Sequence, residues 1–277
     1  MRIEPIIIAF ALTMAFPFVA FAQDDATQNE AALEAELAKQ SQNPVANMIS
    51  IPFEFWHNEG SNGEAFTAVI KPVIPMPLGG VNLINRFILP YASTSGIIQP
   101  PGAEFPGPVI DEKGIADFTY QGFLSSANPG SFIWGAGLAL QIPTASSDFL
   151  GTDRWSIGPS VLGLTMPGNW VLGVLFQNIW DFAGSGDGSV NMMTLQPILS
   201  YQLGDGWYLT SAPVITANWT ADSDNVWTVP IGAGAGKLQK IGKMPVDFKL
   251  VYYNNVSKPT FGADWSVLLG VKLILPK

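Results

Sequence analysis

The chain has 277 residues, enough for one large domain, and is 48% hydrophobic with only 13% charged residues, about half the charged share of soluble globular proteins. That composition is too apolar for a disordered chain, and a net charge of −9 leaves no basic field for nucleic acid. The absence of cysteine excludes disulfides, thiolate metal sites and a cysteine nucleophile.

Residues 1–22 read as an export signal peptide. Arg2 precedes an apolar stretch from Ile6 to Phe21 that ends in Ala20-Phe21-Ala22, an A-x-A cleavage pattern. Glu4, Pro5 and Pro17 depart from the ideal, and an uncleaved anchor is the alternative. Beyond Ala22 no run of about 18 apolar residues occurs, which argues against a helical membrane span.

Residues 23–44 form a helical extension expected on the periplasmic side. Thr27-Gln28-Asn29-Glu30 fits a capping box, Leu33 and Leu37 share a face, and Asn43-Pro44 stops the helix. It is either a plug at a barrel mouth or a solvated extension with a weak apolar stripe.

From residue 45 to 277 the pattern has period two. In 206–219, Trp207, Leu209, Pro213, Ile215 and Trp219 alternate with Tyr208, Thr210, Thr216 and Asn218. Residues 190–203 and 244–254 repeat the pattern. Twelve strands are expected, near 48–57, 65–75, 81–90, 114–124, 131–142, 153–166, 169–182, 190–203, 206–219, 225–236, 244–254 and 265–275. Several run to 10–14 residues, against about 5–6 in soluble sheets, as a tilted membrane crossing requires. The fold expected is therefore all-β, an antiparallel transmembrane β-barrel of about twelve strands with a short N-terminal helix.

Tryptophan placement supports that reading. Trp170 and Trp180 share parity ten residues apart, which at strand rise and tilt is about 25 Å, the height of an outer-membrane apolar band. Trp134, Trp155, Trp207, Trp219, Trp227 and Trp265 complete the expected aromatic girdle. With both termini in the periplasm, short turns are expected at 76–80, 125–130, 167–168, 204–205 and 237–243, and longer extracellular loops at 91–113, 143–152 and 255–264. The segment from Tyr91 to Lys113 holds Ile97, Ile98, Phe105, Val109 and Ile110 and four prolines. It is expected either to fold over the lumen or to pack on neighbouring loops.

Glu54, Lys71, Arg86, Asp117, Asp181, Asp247, Lys249 and Lys272 fall opposite the apolar face and should line the lumen. Facing lipid, a mid-membrane Lys or Arg costs about 2–4 kcal/mol. They form either a structural salt-bridge network or the wall of a permeation path. No cofactor is implied. Gly232-Ala-Gly-Ala-Gly-Lys237 fails the P-loop template, because Ile231 and Leu238 stand where Gly and Ser or Thr are needed, and its spacing misses G-x-G-x-x-G; its small residues suit a curved wall instead. His57, the single histidine, reads as a rim residue against a hydrolase base, with no zinc motif to recruit it. Gly184–Ser189 and Asp222–Asp224 read as exposed turns against weak calcium loops.

The stretch Leu37-Ala-Lys-Gln-Ser-Gln-Asn-Pro-Val-Ala-Asn-Met-Ile-Ser-Ile-Pro-Phe53 resembles the start of a bacterial outer-membrane "transporter" family often labelled neuromedin U. Trp155–Ser160, Gly206–Pro213, Trp227–Lys237, Ile241–Lys243, Tyr252–Asn254 and Leu275–Lys277 resemble later blocks of the same family. The chain departs from it at Leu269-Gly270, where an Arg-containing stretch is expected. The family is similar to barrels of the phenol meta-cleavage-pathway type, which implies an outer-membrane location and transport of small hydrophobic or aromatic compounds.

The expected function is passive passage of a small solute. A closed structural or surface-interaction barrel is the alternative, and an outer-membrane hydrolase a third. Expected partners are outer-membrane lipid, the solute and the barrel-assembly machinery.

Overall fold

The computed structural model describes residues 25–98, 109–185 and 188–275; residues 1–22, read as an export signal, lie outside them. A helix α1, Asp25–Ser41, precedes twelve antiparallel strands: β1 Ile49–Gly60, β2 Gly63–Ile70 continuing as Val73–Pro77, β3 Val81–Ile98, β4 Lys113–Ile115 continuing as Phe118–Ser126, β5 Phe132–Ile142, β6 Arg154–Thr165, β7 Trp170–Gly184, β8 Asn191–Gly204, β9 Trp207–Ser211 continuing as Ile215–Asn218, β10 Trp227–Ile241, β11 Met244–Ser257 and β12 Trp265–Leu275. Each strand pairs with the next, and β1 pairs with β12 from Ile49 opposite Leu275 to Glu59 opposite Trp265, so the sheet closes. Closure leaves no edge strand.

Proline explains two of the interruptions without breaking the alternation. At Pro72 a ladder donor is lost, but Lys71 N still donates to Pro52 O at 2.9 Å and Phe87 N to Pro72 O at 3.0 Å. Around Pro213, Ser211 pairs with Leu199 and Ile215 with Leu195, so the register is the same on both sides.

One end carries tight turns and the other longer loops. Asp205 and Gly206, both at positive φ (49° and 74°), make the two-residue turn between β8 and β9. The connection expected at 237–243 is likewise a two-residue turn, because β10 runs to Ile241 and Gly242-Lys243, with Gly242 at φ 64°, lead into β11 at Met244. The long segment from Tyr91 to Lys113 is also different: Tyr91–Ser93 pair with Lys113–Ile115 and Ile97-Ile98 with Val109-Ile110. β-Branched residues on both arms extend the hairpin instead of opening a loop. Ile98 is buried against Ala65 and Ala263 at the rim, while Phe105 and the four prolines lie outside the described residues.

The faces are inverted relative to a soluble protein. Leu89, Leu138, Leu209, Ile231 and Leu250 are exposed on the outside, while Thr119, Gln141, Ser156, Ser160 and Ser200 are buried within. Near the turn end the interior also holds an apolar core of Val73, Ile84, Phe123, Ile133, Leu162, Leu164, Val171, Leu175 and Ile198, completed by Val45.

Val45 enters that core because α1 docks in the turn-end mouth. The helix starts at Asp25, ahead of the capping box read at Thr27, and only half of the Leu33–Leu37 stripe packs: Leu33 is 69% exposed. The small residue Ala38, fully buried against Leu238 and Ile274, permits the close approach, with Leu37 and Met48 packed alongside. Lys39 Nζ donates to Met166 O (2.8 Å) and Gly168 O (2.7 Å) of the β6–β7 turn, and Glu34 pairs with Lys240 at 3.4 Å.

Candidate functional site

Five of the eight charged residues read as lumen-facing meet in the turn-end half of the barrel. Glu54 accepts from Lys71 Nζ at 2.6 Å, from Lys249 Nζ at 3.1 Å and from the Trp56 indole at 3.3 Å. Asp247 accepts from the Tyr208 hydroxyl at 2.7 Å and from Ser41 and Gln42 at 3.3 Å each, with the Lys272 ammonium 3.7 Å away. Lys272 in turn donates to Ser41 O at 2.5 Å, which ties the end of α1 to the wall.

Two glycines make these contacts possible. Lys249 on β11 reaches Glu54 on β1 across β12, where Gly270 is the cross-strand partner of both. A Cβ at Gly270 would come within 2.5 Å of Lys249 Cε and 2.7 Å of its Cγ. Likewise Tyr208 on β9 reaches Asp247 on β11 over Gly236, where a Cβ would meet the ring Cζ at 2.2 Å. The glycines of β10 alternate with the exposed Ala233 and Ala235, and a Cβ at Gly232 or Gly234 would meet the backbone of β11.

Beyond the charge network lies a cavity of about 190 Å³, lined by both polar and apolar side chains. Trp56 and Tyr253, with ring centroids 6.0 Å apart, stand on one side, and Lys71, Arg86 and Asp117 also border it. Gln121 Nε2 on β4 donates to Gln177 Oε1 on β7 at 2.6 Å, a strap that passes two intervening strands.

The remaining lumen candidates do other work. Asp117 sits where β4 is interrupted and holds the 143–152 loop: Thr144 N and Ala145 N donate to its Oδ1 (3.1 and 3.2 Å), while Thr152 N, Thr152 Oγ1 and Gln141 Nε2 donate to its Oδ2 (2.9, 3.0 and 3.0 Å). So held, the loop turns Leu150 inward, fully buried against Ala92 and Ala116 and lining the cavity. Gly151 allows the fit, since a Cβ there would come within 2.6 Å of Asp117 Oδ1. Asp181 pairs with Arg154 at 2.9 Å and accepts from Val190 N at 2.8 Å near the loop end, apart from the cluster.

Of the tryptophans, Trp134, Trp170 and Trp207 lie in the turn-end parts of their strands, Trp155, Trp180, Trp227 and Trp265 in the loop-end parts, and Trp219 just past the loop end of β9. Lys237 Nζ sits 5.0 Å from the centroid of Trp207, and Trp219 meets Trp227 edge-on at 5.4 Å. His57 lies at the rim, 3.3 Å from Glu59 and with its ring tilted against Trp265 at 5.5 Å between centroids. In the adjoining loop Asp264 is held below the usual carboxylate range by the Lys258 ammonium at 2.7 Å, with the Ser61 hydroxyl at 3.1 Å.

Sequence reading missed Trp56, Tyr253, Gln177 and Leu150. Trp56 shares the parity of Glu54, a usable signal; Leu150 announces itself only as an apolar residue in a Ser/Asp-rich loop.

The chain is similar in fold to the crystal structure of an outer membrane channel from Pseudomonas putida F1, with a TM-score of 0.62 at 18% identity, covering 82% of this chain and 96% of that one. The two share a barrel. A BenF-like porin from Pseudomonas fluorescens aligns over 82% of this chain at 7% identity, with a TM-score of only 0.26. No protein-family model and no curated protein matches the chain.

Proposed function

We propose that the protein is an outer-membrane channel for passive passage of a small solute, with the turn end in the periplasm and the loop end outside. The observation that carries this reading is a closed twelve-stranded barrel, apolar outside and polar within, that encloses a cavity between a docked N-terminal helix and an inward loop. Rings of tryptophan toward both ends of the strands and the fold likeness to a channel support the membrane setting. A solute of hydrophobic or aromatic character agrees with the resemblance noted above and with a cavity flanked by Trp56, Tyr253, Leu150 and Leu175.

A closed structural barrel is the second reading, favoured by one observation: the apolar core and the Glu54 and Asp247 clusters pack the turn-end half. The hydrolase reading finds little support at His57, whose described partners are Glu59 and Trp265. Planar-bilayer recording separates the first two. Discrete conductance steps from the mature protein, enlarged by deletion of residues 23–42, support the channel. Silence from both folded proteins favours the closed barrel.

A further inference from the structure

The cations of the interior are unequally matched. Lys71 and Lys249 share Glu54, and Lys272 lies beside Asp247, so four cations, counting Arg86, face these two carboxylates and Asp117, whose oxygens are taken up by five hydrogen bonds from Gln141 and the 143–152 loop. Arg86 is the residue left over: its Nε and Nη1 are buried and have no hydrogen-bond partner, although it lies within electrostatic reach of Glu54 and Lys272. A guanidinium does not shed its proton, and a buried charge without a partner is costly. Arg86 also borders the cavity, as do Thr67 and Gln121, whose hydroxyl and Oε1 are likewise buried without partners. Unmatched polar atoms of this kind, gathered at one cavity, point to a missing ligand.

We propose that this cavity binds a small monocarboxylate with an apolar tail, its carboxylate on the Arg86 guanidinium and its tail against Leu150, Leu175 and Val214. The proposal rests on the reading of the barrel as a solute channel and names the class of solute. The planar guanidinium fork matches a carboxylate. One guanidinium also suits a singly charged head better than a phosphate, which asks for more donors. The tail is limited by space: an apolar cavity of about 150 Å³ takes benzene, so about 190 Å³ suits a tail of roughly six carbons.

Isothermal titration of the folded, detergent-solubilised full barrel with hexanoate, 1-hexanol and hexylammonium tests this. Hexanoate is expected to bind about tenfold or more tightly than either of the others, the range of one charge-assisted contact. Arg86→Gln should remove that advantage and leave hexanol binding unchanged. Arg86→Lys, which keeps the charge but loses the fork, should fall between, and it serves as the test if the glutamine variant does not regain heat-modifiable barrel mobility. Equal binding of hexanoate and hexanol to the parent, or hexanoate binding indifferent to both substitutions, overturns the site. Bilayer recording on the same preparation keeps the two readings apart: a barrel that binds hexanoate but passes no current defeats the channel and leaves the site standing, while one that conducts without hexanoate preference defeats the site alone.

Discussion

Lys249 reaches Glu54 by passing over Gly270, where even one added methyl group would come within 2.5 Å of the lysine Cε. Gly270→Ala should therefore push the ammonium off its carboxylate. A double-mutant cycle with Lys249→Ala, read from urea unfolding of the barrel in detergent, should show a coupling of about 1–3 kcal/mol. Additive effects would mean that the lysine simply steps aside.

Glu54→Gln leaves Lys71 and Lys249 buried without their shared counterion. Removing one partner of a buried ion pair costs about 3–5 kcal/mol. The urea midpoint should fall accordingly, and part of the loss should return when Lys71→Met and Lys249→Met are added. A midpoint equal to that of the parent would show that water already screens the cluster.

The loop from 143 to 152 is the cover over the cavity, and Asp117 is its anchor. Asp117→Ala removes five hydrogen bonds to one carboxylate, each worth about 1.5–3 kcal/mol when the acceptor is charged. Expected outcomes are new protease cleavage within the loop and a larger single-channel conductance. Removing residues 99–108 should change conductance less; a greater rise from that deletion would move the constriction to the tip of the β3–β4 hairpin.

Because the chain has no native cysteine, single cysteines report which face is wet. Gln196→Cys, on the cavity wall, should react with a small water-soluble thiol reagent, and Leu199→Cys, exposed on the outer face, should not. Thr210→Cys should react slowly although it points inward, since Thr210 is buried and bonded to Ser200 at 2.9 Å. Fast labelling at Leu199 would reverse the assignment of the faces.

Strand number was legible because each strand alternates on its own, and the same alternation is what singles out Glu54, Lys71, Asp247, Lys249 and Lys272 as residues opposite the apolar face. The role of Gly270 was not, because it depends on β12 lying between β1 and β11, a fact of closure and not of any one strand. Asp117 is read from parity alone, and its hydrogen bonds run to a loop 27–35 residues further along the chain, which parity does not reveal. The helix contact was half legible: Leu37 packs at the mouth and Leu33 does not, because the closest approach is made at Ala38, a small residue that no apolar stripe singles out.

The docked helix also bears on how the barrel forms. Lys39 holds carbonyls 127 and 129 positions away, and Lys272 reaches back 231 positions to Ser41. Contacts so distant along the chain bring little reward until most of it has been synthesised and paired, and high contact order slows folding. Since β1 and β12 seal the ring, the N-terminal segment either waits in the mouth as the seam closes or threads in afterwards. Its bonds to the β6–β7 turn can form once that hairpin exists, but the bond from Lys272 of β12 waits for the last strand, which makes the fully docked plug a late reporter of complete assembly.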